Sequence, residues 1–175
     1  SYALSIERGR TPLDQRIGAT TDAHPGESGL LLLDENLDAF AARGLSARKV
    51  ERSLDLMYYI WHDDLTGRLL LAEALSAADR GVRVRILIDD IGTSHTSDAM
   101  IAMAHHPHIE IRIFNPTRAR QGGLRRGIEM MLRAFSVTRR MHNKAWIADG
   151  RVAILGGRNI GDAYFDAATQ TNFRD

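Results

Sequence analysis

Val82, Val84, Ile86 and Ile88 alternate with Arg83, Arg85 and Leu87, and the run closes on Asp89-Asp90-Ile91-Gly92. Strand side chains point to opposite faces with a period of two, so this run predicts a strand with one wholly apolar face. Upstream, Leu54, Leu56, Tyr58 and Ile60 alternate with Asp55, Met57, Tyr59 and Trp61, which predicts a strand covered on both faces. Between the two lies a helical pattern with Leu69, Leu70, Leu75 and Ala78, capped by Thr66 and ended by Gly81. An earlier helix is expected up to about Arg52, with Leu37, Phe40, Ala41, Leu45 and Val50 on its apolar side. Another, near Ser97 to Ala104, leads to a strand with Ile109, Ile111 and Ile113 that Asn115-Pro116 stops. A basic helical stretch follows, from about Leu124 to Val137. Strands alternating with helices imply an α/β sandwich. Residues 1–28, with Pro12, Pro25 and several Thr and Gly, read as an extended N-terminal arm, leaving 29–175 as one domain.

The stretch from Arg140 to Phe165 carries the chemistry. His142, Lys144 and Asp149 stand in the spacing HxKxxxxD on an apolar alternating segment. A turn at Asp149-Gly150 leads to a second apolar run, Arg151 to Leu155, so the two form a hairpin and the sheet should be mixed. Gly156, Gly157 and Asn159 come at the end of the second run. Two residues apart in a strand, His142 and Lys144 share a face, which sets an imidazole beside an ammonium.

That pair suits phosphodiester chemistry. Neutral His142 can attack phosphorus and split one hard step into two through a phosphohistidine. Lys144 can hold the non-bridging oxygens as charge builds on them, and Asn159 can donate an amide N–H to the same oxygens. Gly156 and Gly157 let backbone approach where a side chain would block a phosphate. Asn159 also suits the cap of a helix beginning at Ile160. On strand alternation Asp149 faces away from Lys144 and opens the turn, which gives it a structural and electrostatic role.

The HxKxxxxD triplet and its context resemble the signature of the phospholipase D superfamily, and the wider wording resembles its bacterial cardiolipin synthase-like members. Ser53 to Trp61, followed by Asp64-Leu65-Thr66-Gly67, looks like the strand and turn that open their catalytic half. Arg80 to Asp90 resembles their second strand, and Gly156 to Phe165 is similar to their post-motif segment. The resemblance runs from about residue 28 to the end. It implies a mixed β-sheet flanked by helices on both faces. It implies a phospholipase D-type phosphodiesterase or phosphatidyltransferase that acts on phospholipids without metal or cofactor. It keeps Asp149 in the site and assigns Asp175 the bond that orients the histidine's far nitrogen, as a carboxylate does in a triad. Such proteins carry two halves, so the chain should be the N-terminal half of a two-half site. Its partner would be a second half of the same natural chain or a homodimer mate.

Composition narrows the rest. There are no cysteines, which excludes disulfides, thiolate zinc sites and cysteine nucleophiles. No apolar run approaches the roughly 18 residues of a spanning helix. The resemblance therefore points to a peripheral membrane or cell-envelope location in a bacterium. Seven arginines and a single acid, Glu129, lie between Arg118 and Arg140, a run that could meet a membrane surface, lipid head groups or, on the alternative reading of a superfamily nuclease, nucleic acid. A non-catalytic lobe that binds anionic lipid is the third reading. Asp63-Asp64 and Asp89-Asp90 would serve a two-metal nuclease, and His105, His106 and His108 invite a metal, but a surface loop accounts for the histidines.

Overall fold

The computed structural model describes residues 11–90, 92, 98–116 and 140–173. In chain order the elements are α1 (Pro12–Asp22), α2 (Asn36–Lys49), β1 (Ser53–Tyr58), α3 (Leu65–Asp79), β2 (Arg83–Asp89), α4 (Asp98–Met103), β3 (Ile109–Phe114), β4 (Ala145–Ala148) and β5 (Val152–Leu155), followed by a 3-10 turn, Asp162–Tyr164. The strands form one mixed sheet in the order β3-β2-β1-β4-β5. β1, β2 and β3 run parallel, and the β4–β5 hairpin joins β1 antiparallel. The fold is α/β, a mixed sheet with helices.

Register explains the core. Leu54 pairs with Val84 and Ala148, and Leu56 with Ile86 and Trp146, while Trp146 pairs in turn with Ile154. All of these are buried, with Tyr58 and Ile88 at the end of the same face. The other face carries Asp55, Met57, Arg85 and Leu87, each half-buried. Asp55 and Arg85 are direct cross-strand partners and form an ion pair there. Helices α2 and α3 pack on each other, α3 reaching β2 and α2 reaching β4.

Three local expectations change. The face that α2 buries is Asn36, Ala39, Arg43, Ser46 and Ala47, while Leu37 and Leu45 are exposed. Polar groups can sit inside because each finds a partner. Arg43 Nε donates to the Tyr58 hydroxyl at 3.1 Å, and Trp146 Nε1 donates to Ser46 Oγ at 2.9 Å. Helix α3 begins earlier than expected, and its cap is Asp64, whose carboxylate accepts the Gly67 N–H at 3.0 Å, not Thr66. Residues 12–22 are helical rather than extended. Thr11 and Asp14 make a reciprocal capping box, with Pro12 in the first turn, where its missing N–H costs nothing. Asp14 then reaches Arg52 at 2.9 Å and Arg151 at 2.7 Å, which ties α1 to the start of β1 and to the hairpin turn.

Candidate active site

The parallel strands β1 and β2 end at Tyr58 and Asp89, and β4, running the other way, starts beside them, since Ala145 pairs with Met57. Ligands of α/β sheets bind outside the carboxyl ends of the strands. His142 and Lys144 stand at that edge. They precede β4 instead of lying within it, because pairing with β1 starts only at Ala145. The segment is held from the side: the fully buried carboxylate of Asp89 accepts the Met141 N–H at 2.9 Å and meets Arg140 at 3.4 Å.

His142 is exposed and Lys144 is buried, at 6% exposure. Lys144 Nζ donates to the backbone carbonyl of His142 at 2.8 Å. The same ammonium stands 5.5 Å over the ring of Tyr59, and the Tyr59 and His142 ring centroids are 5.1 Å apart. An accessible imidazole and a sequestered cation thus meet around one aromatic ring. An ammonium over a ring face keeps a favourable environment for its charge.

Asp149 sits at the other end of β4. It is buried, and its carboxylate accepts the N–H groups of Glu51 at 3.2 Å, Arg52 at 2.7 Å and Ser53 at 3.0 Å. With Gly150 it makes the turn, both residues having positive φ, 53° and 65°. It touches neither His142 nor Lys144 through that carboxylate.

Strand β5 brings the chain back to the working edge. Gly156 and Gly157 are exposed there, Gly156 with φ 154°, a region that side chains avoid. Asn159 is buried, its Oδ1 accepting the Ile60 N–H at 3.1 Å and its Nδ2 donating to the Tyr164 hydroxyl at 3.2 Å. The helix expected from Ile160 is absent: Ile160 makes a bridge with Trp61, its carbonyl accepting the His62 N–H at 2.9 Å. Between the glycines and Asn159, buried Arg158 donates to Asn36 Oδ1 at 2.7 Å, Leu33 O at 3.0 Å and Asp34 O at 2.8 Å. A brace closes the back of the segment: Asp64 accepts the Asp162 N–H at 2.7 Å, and Asp162 accepts the Thr66 N–H at 2.8 Å. Burial opposes the charge on Asp162, but its hydrogen bonds with Thr66, Leu65 and Asp64 hold its carboxyl below the usual range. Asp175, the residues 117–139 of the arginine run, and with them the helix expected over Leu124 to Val137, lie outside the described residues.

Three of the four aspartates considered for metals have other work. Asp63 pairs with Arg68 at 2.6 Å, Asp64 caps α3, and Asp89 holds Met141. Among the described residues no three His, Asp or Glu side chains are grouped to hold a metal. His106 faces Asp79 at 3.3 Å, and its ring lies 5.8 Å from that of His108, tilted by 49°. Sequence reasoning missed Tyr59, Arg158 and the role of Asp89. Asp89 was visible as a strand-end acid, whereas nothing in the alternation of residues 54–61 separates Tyr59 from its neighbours.

Residues 46–174 match the family described as cardiolipin synthase, PLD-like domain. The chain is 49% identical over 152 residues to cardiolipin synthase C of Escherichia coli (strain K12), a match covering 87% of this chain and 32% of that protein. It is 29% identical over 136 residues to cardiolipin synthase B of Shigella flexneri, covering 78% of this chain and 30% of that protein. The chain therefore spans about a third of the length of these curated relatives. Among solved structures, NucT from Helicobacter pylori superposes with a TM-score of 0.55 at 19% identity, over 83% of this chain and 78% of that one. That likeness is one of fold.

Proposed function

The chain belongs to the family of cardiolipin synthase phospholipase D-like domains, and from that premise we propose that it supplies one half of a site that transfers a phosphatidyl group between phospholipid alcohols. The observation that carries this reading is that the exposed imidazole of His142 and the buried ammonium of Lys144 both stand at the Tyr59 ring, at the carboxyl edge of the sheet. In the first step a neutral nitrogen of His142 attacks phosphorus. The P–N bond forms, the P–O bond to the leaving alcohol breaks, and that oxygen takes a proton from a general acid on the opposite side. In the second step the group that gave up its proton takes one from an acceptor hydroxyl, whose oxygen attacks phosphorus; the new P–O bond forms, the P–N bond breaks and the imidazole leaves neutral. If His142 is instead the general acid, these roles exchange with the partner half.

Lys144 stabilises the charge that builds on the non-bridging oxygens. Gly156 and Gly157 offer backbone close to the phosphate, and Asn159 has a second amide hydrogen besides the one given to Tyr164. Asp149 acts at a distance by fixing the hairpin, and Asp175 is assigned the orienting bond to the imidazole. The proposed chemistry uses no metal and no cofactor.

In-line displacement places nucleophile and general acid on opposite sides of phosphorus, and one residue cannot stand on both. A second phospholipase D-like half is therefore required, from the same natural chain or from a homodimer mate. No described helix is long and apolar enough to cross a membrane. The substrate is itself a membrane lipid, so the protein works as a peripheral membrane or cell-envelope protein of a bacterium. The deciding experiment is turnover by the full-length natural protein on phosphatidylglycerol vesicles and on single- and double-stranded DNA, side by side. Release or transfer of phosphatidyl groups that His142→Asn abolishes supports the reading. DNA cleavage with inert vesicles replaces it with a nuclease.

A further inference from the structure

The ring of Tyr59 reaches both members of the proposed reacting pair. It follows directly on β1, and continuing the β1–β4 register would place it opposite Asn143, between His142 and Lys144. Its ring lies under the Lys144 ammonium at 5.5 Å and tilts at 52° to the His142 ring at 5.1 Å. Both contacts involve the ring system; neither needs the hydroxyl. We propose that Tyr59 is a positioning residue, its ring face setting the orientation of the His142 imidazole relative to the Lys144 ammonium. The proposal rests on the reading of those two side chains as the reacting pair.

The fold holds this ring in place by its backbone. The next residue, Ile60, gives its N–H to Asn159 Oδ1 at 3.1 Å. Ile60 O accepts the Ile160 N–H at 3.2 Å. On the other side Gly92 packs so closely that a Cβ there would stand 2.2 Å from Tyr59 O. The preceding residue, Tyr58, is fully buried and packs edge-on to Trp61 at 5.5 Å. Tyr59 is thus a half-buried plate on a fixed mount, under one group that is exposed and one that is not. Asn159 then has a second effect on the chemistry, through the position of Tyr59. Because His142 is exposed, little else among the described residues restricts its rotamer. A loosely held nucleophile loses near-attack geometry, and a misplacement of about 1 Å costs on the order of a hundredfold in rate.

The test uses Tyr59→Phe and Tyr59→Leu with two readouts. In the 175-residue chain, the ring-current shift of the His142 imidazole protons is read by NMR. It should persist in Tyr59→Phe and collapse in Tyr59→Leu, while the other histidine signals stay in place. In the full-length natural protein, Tyr59→Phe should keep kcat within about threefold, and Tyr59→Leu should lower kcat by roughly tenfold to a hundredfold with KM nearly unchanged. If Tyr59→Leu fails to fold, phenylalanine and then trifluorophenylalanine at position 59 keep the shape while draining the ring face of negative charge. Activity must then fall in that order. Unchanged His142 signals in Tyr59→Leu, equal losses in Tyr59→Phe and Tyr59→Leu, or indifference to fluorination would overturn the proposal. A wild-type protein inactive on lipid would defeat the proposed function alone, since the NMR readout still decides the position of the ring.

Discussion

The carboxylate of Asp89 accepts the backbone N–H of Met141 at 2.9 Å, one residue before His142. The end of β2 is thereby joined to the segment that carries the proposed reacting pair. A strand-end aspartate that looks like a metal ligand in the sequence is part of the scaffold. Replacing Asp89 with Leu leaves that buried N–H without its acceptor. Stability should fall by about 2–4 kcal/mol in denaturant unfolding. Turnover in the full-length protein should fall further than the loss of folded molecules explains, because the His142 segment is released. Activity that tracks the folded fraction alone would refute the positioning role.

Asp149 should behave differently. Its carboxylate serves three N–H groups from Glu51, Arg52 and Ser53. Asp149→Ala should cost about 2–4 kcal/mol, with kcat per folded molecule nearly kept at low temperature. A folded, stable and inactive Asp149→Ala protein would show that the aspartate takes part in the chemistry.

Arg158→Lys should be severe for a conservative change. A lysine cannot reproduce a fork that reaches Asn36, Leu33 and Asp34 at once. The expected loss is about 2–3 kcal/mol, read as a shift of the unfolding midpoint. A change under about 0.5 kcal/mol would mean that this fork does not hold the segment after β5.

The first helix supplies a pH signature. Burial opposes the charge on Asp14, but hydrogen bonds from Arg52 and Thr11 win and lower its pKa to about 2. A depressed folded value means that the unfolded chain binds the proton more readily. The contribution to stability is therefore complete above the ordinary carboxylate value and is lost as pH falls from about 4 to about 2. Asp14→Asn should flatten that part of the stability curve while leaving the neutral-pH activity of the full-length protein in place. An unchanged acid slope would mean that the N-terminal helix is not docked through Asp14.

Much of the sheet was legible because its strands bury one face and alternate accordingly. Val82 to Ile88 could hardly be anything else, and the hairpin followed from Asp149-Gly150 between two apolar runs. What failed were inferences that equate apolar with inside. Leu37 and Leu45 face out, and Arg43 and Ser46 face in, since Tyr58 and Trp146 supply partners from distant parts of the chain. The spacing sets His142 and Lys144 two residues apart, yet the ring that both approach, that of Tyr59, follows directly on β1, more than eighty residues earlier. Spacing within one segment carries no information about such a neighbour. The capping box of α1 is present in the letters Thr11-Pro12-Leu13-Asp14, but the reading of residues 1–28 as an extended arm does not use it.

Metal independence separates this chemistry from a two-metal mechanism. Asp63, Asp64 and Asp89 are engaged by Arg68, Gly67 and Met141, and in the proposed mechanism charge neutralisation falls to Lys144. Full-length protein dialysed against chelator should keep its rate within about twofold. A rate that vanishes and returns with a divalent cation would reverse the assignment.

Covalent chemistry at His142 is tested most directly by rapid quench of the full-length protein with lipid labelled in the phosphate. A phospho-enzyme that is labile in acid and stable in base, present in wild type and absent in His142→Asn, is the predicted result. An adduct that persists in His142→Asn while turnover collapses would make His142 the general acid and move the nucleophile to the partner half. No adduct at any time, with inversion at phosphorus, would contradict the account and point to direct displacement.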